Sequence, residues 1–73
     1  MCELIKARIQ ITENRLVKQQ QVIAMYQEDI KQIASSTPDI ILSAMPAKLQ
    51  NFQEACHYLD LLEHEILLLK SLI

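Results

Sequence analysis

Apolar residues in the first half of the chain recur with the spacing of a coiled-coil helix. Two series with a period of seven run through residues 2–34, one starting at Cys2 and the other at Ile5. They comprise Cys2, Ile9, Leu16, Ile23 and Ile30, and Ile5, Thr12, Gln19, Tyr26 and Ile33. A sustained repeat of this kind is typical of a helix that packs along another helix. The pattern predicts one helix over about residues 3–34.

The polar run Lys18–Gln21 lies in the middle of this helix. We interpret it as an exposed helix surface with one polar position, Gln19, in the apolar seam, because glutamines are mostly exposed. The alternative is a polar interruption that sets the register and pairing of the helices.

Serine, threonine and proline interrupt the pattern over residues 35–45. Serine and threonine favour helix caps and proline is excluded from helix interiors, so the first helix is predicted to end here. Thr37, Pro38 and Asp39 also form a helix-start signal, namely a cap residue, proline in the first turn and an acid close to the helix N-terminus. The signal predicts a short helical segment over Asp39 to Ala44 within the link.

A second long helix is predicted over about residues 46–72, with Pro46 in its first turn. One apolar stripe follows spacings of three and four residues: Met45, Leu49, Phe52, Cys56, Leu59, Leu62, Ile66, Leu69 and Ile73. Another stripe occupies a different face: Tyr58, Leu61, Leu68 and Leu72. A single neighbouring helix cannot cover both stripes. The second stripe is therefore predicted to bind a partner protein.

The order of these elements predicts an all-α fold, an antiparallel helical hairpin with coiled-coil-like packing and a crossing angle near +20°. In the expected register Ile33 lies beside Leu49, and Gln19 then lies beside Glu63. The first helix would in that register extend past the second, so that residues 1–8 project from the hairpin.

Composition agrees with one helical domain spanning residues 1–73. Hydrophobic residues make up 51% of the chain and aromatic residues 4%, and glycine is absent, which favours helices over a turn-rich sheet. A net charge of −2 without a basic stripe argues against nucleic-acid binding. The C-terminal apolar run is short and carries charges, so membrane insertion is not expected.

The two cysteines are too few for a disulfide scaffold, and the N-terminal residues do not resemble a signal peptide. We therefore expect a cytoplasmic location. Cys2 and Cys56 lie too far apart along the expected hairpin to form a disulfide bond with each other.

Polar residues near the middle of the second helix have spacings that occur in metal sites. Glu54 and His57 have the Glu-x-x-His spacing of di-iron four-helix proteins, and His57, Asp60 and His64 share a helix face. Two or three ligands on one exposed helix leave a zinc site incomplete. We interpret them as a solvated edge and predict no metal, no cofactor and no catalytic residues, because no nucleophile with its base is recognisable.

The layout of a long helix, a proline-marked link and a second amphipathic helix resembles the small hairpin co-chaperones of type III secretion needle subunits. Members of that family keep the needle protein soluble together with a larger helical-repeat chaperone. The resemblance covers "ELIKARIQITENRLVKQQQVIAMYQEDIKQI" and "KLQNFQEACHYLDLLEHEILLLKSL" by layout, without a chemical motif. It implies a cytoplasmic bacterial protein that acts before secretion and is not itself secreted.

Two functions follow from the uncovered apolar stripe. The first is a non-enzymatic adaptor whose stripe binds a larger protein, such as a helical chaperone or a secretion subunit. The alternative is a self-assembling structural module, in which two hairpins form a homodimeric four-helix bundle and bury the stripes by two-fold symmetry.

Overall fold

Two helices of nearly equal length run antiparallel along the whole molecule in the computed structural model, which describes residues 2–73. Helix α1 spans Cys2–Ala34 and helix α2 spans Pro38–Ser71. They pack against each other as a rod of 56 × 14 × 12 Å, and the described residues form no strand. The predicted all-α helical hairpin is confirmed.

The turn between the helices is far shorter than predicted. Helix α1 ends where Ser35 and Ser36 donate hydroxyl hydrogen bonds to the carbonyls of Lys31 and Gln32. Thr37 has an extended backbone, with φ −68° and ψ 155°, and its carbonyl accepts the first hydrogen bond of α2 from the Ile41 amide. The predicted link over 35–45 is wrong, because only residues 35–37 separate the helices.

The Thr37–Pro38 signal thus starts the long helix itself rather than a separate short segment. The predicted start near residue 46 is wrong, since Pro46 lies inside α2. Proline lacks the amide that would bond to the Leu42 carbonyl one turn earlier. Leu42 and Pro46 are exposed, so water can reach that carbonyl. The neighbouring residues Ile41 and Met45 pack towards α1. This packing holds the helix together across the proline.

Burial along α1 follows the predicted heptad. Ile9 and Thr12 are buried, and the other seam residues from Ile5 to Ile33 are half-buried, whereas Cys2 is exposed. Thr12 is fully buried, and its hydroxyl donates to the Arg8 carbonyl at 2.9 Å. The threonine therefore enters the seam with its polar group satisfied within its own helix.

The seam of α2 is a stricter heptad than the predicted apolar stripe. Its inward positions are Ile41, Met45, Lys48, Phe52, Ala55, Leu59, Leu62, Ile66 and Leu69. The assignment of Leu49 and Ile73 to this stripe is wrong, because both are exposed, and Cys56 is only half-buried beside the buried Ala55. The seam also contains the small residue Ala55 and the charged residue Lys48. The predicted stripe lacked both because it was built mainly from large apolar residues.

The observed register differs from the expected one by about two helical turns. Gln19 donates to the Ala55 carbonyl at 2.9 Å, and Arg8 pairs with Glu65 at 2.7 Å. Facing residue numbers therefore add to about 74, so the predicted pairing of Gln19 with Glu63 is wrong. The short turn causes the shift, because α2 starts earlier than expected. Residues 2–8 consequently lie beside α2 instead of projecting, and Met1, which the prediction included, lies outside the described residues.

Lys48 occupies a seam position with its charge turned to the edge. Its Nζ lies 3.2 Å from Oδ2 of Asp29 and 5.8 Å from the centre of the Tyr26 ring. The aliphatic stem can thus fill the seam while the ammonium group stays near solvent and an acid. This contact also agrees with the observed register, since Tyr26 and Lys48 are facing positions.

Candidate protein-binding surface

The hairpin has two flanks, which we call the front and the back. In an antiparallel pair, residues that immediately precede seam positions meet on one flank, and residues that follow them meet on the other. Arg8 and Glu65 each precede a seam residue and form an ion pair on the front. Glu13 and Lys70 each follow a seam residue, and the Nζ of Lys70 lies 3.6 Å from Oε1 of Glu13 on the back.

All four residues predicted to bind a partner lie on the front, in the half of the rod that holds the chain termini. The exposed fractions are 43% for Tyr58, 53% for Leu61, 65% for Leu68 and 60% for Leu72. Glu65 lies between Leu61 and Leu68, so that the series from Tyr58 to Leu72 has alternating spacings of three and four residues. The four side chains form one continuous stripe, because residues so spaced lie on the same side of a helix.

In the same half of the rod, helix α1 adds Leu4 and Ile11 to this flank, which are 74% and 45% exposed. Towards the turn, the front also carries the exposed Val22, Met25 and Ile40. The place of Leu4 and Ile11 on this surface was missed from the sequence, although each immediately precedes a seam residue and they lie seven residues apart. The antiparallel fold brings the N-terminal half of α1 beside the C-terminal half of α2. We call the resulting surface the leucine face, composed of Leu4, Ile11, Tyr58, Leu61, Leu68 and Leu72.

The ion pair of Arg8 and Glu65 lies within the leucine face. The Nε of Arg8 donates to Oε1 of Glu65 at 2.7 Å, and the two side chains are 46% and 30% exposed. A pair this open to solvent contributes about 0–1 kcal/mol to stability. Its main effect is to neutralise the two charges in the middle of an apolar surface, which lowers the cost of covering that surface.

Charged residues border the leucine face on the side towards the turn. Arg15 and Lys18 are exposed on α1, and Glu54 is exposed on α2. None of them takes part in the ion pairs found among residues 2–73. The border is therefore basic on one helix and acidic on the other.

The back of the hairpin is mostly polar. Its large exposed apolar residues are scattered: Val17, Leu42, Leu49 and Leu67. Near the turn, an open groove of about 390 Å³ is lined by Gln27, Ile30, Lys31, Leu49 and Phe52. Isolated apolar residues are normal on protein surfaces, whereas a contiguous patch points to an interaction site. The leucine face is thus the stronger candidate.

The residues with metal-site spacings are all exposed on α2: Glu54, His57, Asp60 and His64. The Nδ1 of His64 lies 2.8 Å from the Asp60 carbonyl, as expected within one helix. Within residues 2–73, no group of three or more histidine, cysteine or acidic side chains is arranged to hold a metal ion. Cys2 is exposed and Cys56 is half-buried, and neither forms a disulfide.

Neither helix, over the described residues, contains an apolar stretch long enough to cross a membrane. Comparisons with protein-family models, with curated proteins and with solved structures find no match for this chain.

Proposed function

We propose that this chain is a non-enzymatic helical adaptor that binds a larger protein through the leucine face. One observation carries the proposal: Tyr58, Leu61, Leu68 and Leu72 are all more than 40% exposed although they are regularly spaced on one side of α2. Apolar anchors at helical spacing are the usual means by which a helix binds a groove on another protein. Contiguous exposed apolar surface of this kind is unfavourable in water until a partner covers it.

A narrower form of the proposal is a cytoplasmic co-chaperone of a type III secretion needle subunit. The layout supports it, since the molecule is a small helical hairpin with an apolar side left over for a helical partner. In this role the leucine face would contact the needle subunit or its larger chaperone and keep the complex soluble before secretion.

The test is a comparison of three tagged forms of the full chain in its native cell. The wild type is compared with the double variant Leu61→Asp and Leu68→Asp, and with Leu42→Asp and Leu67→Asp as a matched control. The control pair is 77% and 68% exposed and lies on the back, so it adds the same charge to the other flank. Proteins that co-purify are identified by mass spectrometry.

We expect a specific protein to be retained by the wild type and by the back-side control but lost from the front-side variant. Retention of the same proteins by all three forms would contradict the adaptor proposal. A helical-repeat chaperone or a secreted helical subunit among the lost proteins would support the narrower form, whereas a partner of another class would refute only that form.

A further inference from the structure

The charges on the front of the hairpin are complementary to those of another copy of the same surface. Helix α1 presents Arg15 and Lys18 beside the leucine face, and helix α2 presents Glu54. We infer that in the absence of another partner a second copy of this chain covers the front, with α1 of each copy packed antiparallel on α2 of the other. The inference goes beyond the adaptor function, because it requires no foreign protein.

In this arrangement the two-fold axis runs parallel to the helices, so both pairs of termini lie at the same end of a four-helix bundle. A residue of α1 in one copy then lies at the same height along the rod as the residue of α2 in the other copy whose number brings the sum to about 74. The same sum relates facing residues within one hairpin. Leu4 of one copy lies level with Leu68 and Leu72 of the other, and Ile11 lies near Leu61. The two leucine faces therefore cover each other.

The charged border also matches in this orientation. Lys18 of one copy is level with the segment between Glu54 and Tyr58 of the second copy. Arg15 is level with Tyr58, which is a favourable neighbour for a guanidinium group. Opposite charges thus meet twice in each dimer, once for each copy of α1.

A two-fold axis that crosses the helices would give a poorer fit. It places α1 on α1 and α2 on α2, so that Lys18 near the middle of one rod approaches Lys18 of the second copy, and Glu54 approaches Glu54. Like charges in such positions repel. The leucine face would then lie against the half of the front near the turn, where Val22, Met25 and Ile40 are also exposed, so the repulsion between like charges is what disfavours this orientation.

Association also fits the size of the molecule. A chain of 73 residues buries a smaller share of its surface than a larger domain, and this one has only four buried apolar residues among those described: Ile9, Ala55, Leu62 and Ile66. Covering the front would add a second layer of apolar contacts beside the seam of this thin core. A foreign partner that uses the leucine face would have to displace the second copy.

The first test measures the mass of the purified full chain and the distance between its N-termini. Light scattering is expected to show a dimer that dissociates on dilution. For the distance, Cys56→Ser leaves Cys2 as the sole cysteine for a nitroxide label. We expect pulsed electron paramagnetic resonance to give about 15–30 Å, because the two α1 helices are diagonal neighbours at helix spacings of about 8–10 Å. A distance near the 56 Å length of the rod, or a monomer at every concentration, would overturn the inference.

The second test exchanges the charges on the border. Lys18→Glu and Glu54→Lys are each expected to weaken dimerisation about tenfold, since each turns two attractive contacts per dimer into repulsive ones. Mixing the two single variants should restore the dimer, because the carboxylate introduced at position 18 of one chain then meets the ammonium group introduced at position 54 of the other. Positions 18 and 54 carry charges of the same sign within each variant chain. Recovery of dimerisation on mixing can therefore come only from contacts between the two chains.

Circular dichroism of both variants is expected to match the wild type, because the substituted residues are exposed. Failure of the mixture to associate more tightly than either variant alone would overturn the proposed orientation. None of these results depends on the adaptor function, which is tested separately by the proteins that the leucine face retains in the cell.

Discussion

The seam and the leucine face are built from the same kinds of residue but lie in opposite environments. Leu61 and Leu62 are neighbours in the chain, and yet Leu61 is 53% exposed whereas Leu62 is 3% exposed. The difference is a rotation of about 100° around the helix axis. A leucine therefore stabilises the core of this hairpin only if it faces the other helix, and the surplus leucines of α2 remain exposed.

The largest contrast is expected from one substitution made at these two neighbours. Leu62→Asp places a carboxylate in the seam without a partner, which costs several kcal/mol and exceeds what a small domain can lose. We expect the helical circular dichroism signal at 25 °C to collapse. Leu61→Asp is the control and should keep the signal, measured at a concentration at which the wild type is monomeric. Equal loss in both variants would mean that the leucine face contributes to the fold of the single chain.

A smaller effect is expected at the small seam residue of α2, Ala55. Ala55 is buried and its carbonyl accepts the hydrogen bond from Gln19. Ala55→Leu should lower the free energy of unfolding by about 1–3 kcal/mol, because the larger side chain overfills the seam and moves Gln19 away. Urea unfolding measures this loss. At a concentration at which the wild type is monomeric, Glu54→Leu, at the exposed position just before it, should change the stability by less than about 0.5 kcal/mol.

The hydrogen bond of Gln19 itself is expected to contribute less. Gln19→Ala should cost about 1 kcal/mol in urea unfolding, since one partly buried hydrogen bond and some side-chain packing are lost. Gln19→Leu keeps the volume of the side chain and should recover part of that loss. A Gln19→Ala variant as stable as the wild type would show that the bond to Ala55 does not help to hold the register.

The smallest effect on the single chain is expected from Leu61→Asp combined with Leu68→Asp. Each residue is more than half exposed, so the monomer should lose less than about 1 kcal/mol. Association should instead be abolished, because two carboxylates from each chain would have to be buried in the contact. The free energy of unfolding at low concentration and the mass at high concentration measure the two properties separately. A large drop in monomer stability would remove the distinction between seam and leucine face.

Much of the fold was predictable because helix formation depends on local spacing. The heptad from Ile5 to Ile33 predicted the buried side of α1. The Thr37–Pro38 signal was correctly identified as a helix start, although it was assigned to a short segment and not to α2. The stripe from Tyr58 to Leu72 predicted the exposed apolar surface. Its separation from the core follows from helical periodicity alone, so these side chains could be assigned before the packing was known.

The register and the α1 part of the leucine face were not predictable in the same way. A proline at position 46 normally marks a helix start, but the packing of Ile41 and Met45 on α1 offsets the missing hydrogen bond. Helix α2 therefore continues through Pro46 and starts at Pro38, which shortens the turn and changes the register between α1 and α2. Leu4 and Ile11 join Tyr58 only in the folded hairpin, where the shift brings the two termini level.

The amino-acid sequence by itself determined that the chain is helical and that α2 carries more apolar surface than one helix can cover. Both properties depend on the period of residues along a single helix. Tertiary structure decided which residues of α1 share that surface, which small or charged residues enter the seam, and where Gln19 finds its acceptor. Those outcomes depend on contacts between residues far apart in the chain, and the three-residue turn determines which of them form.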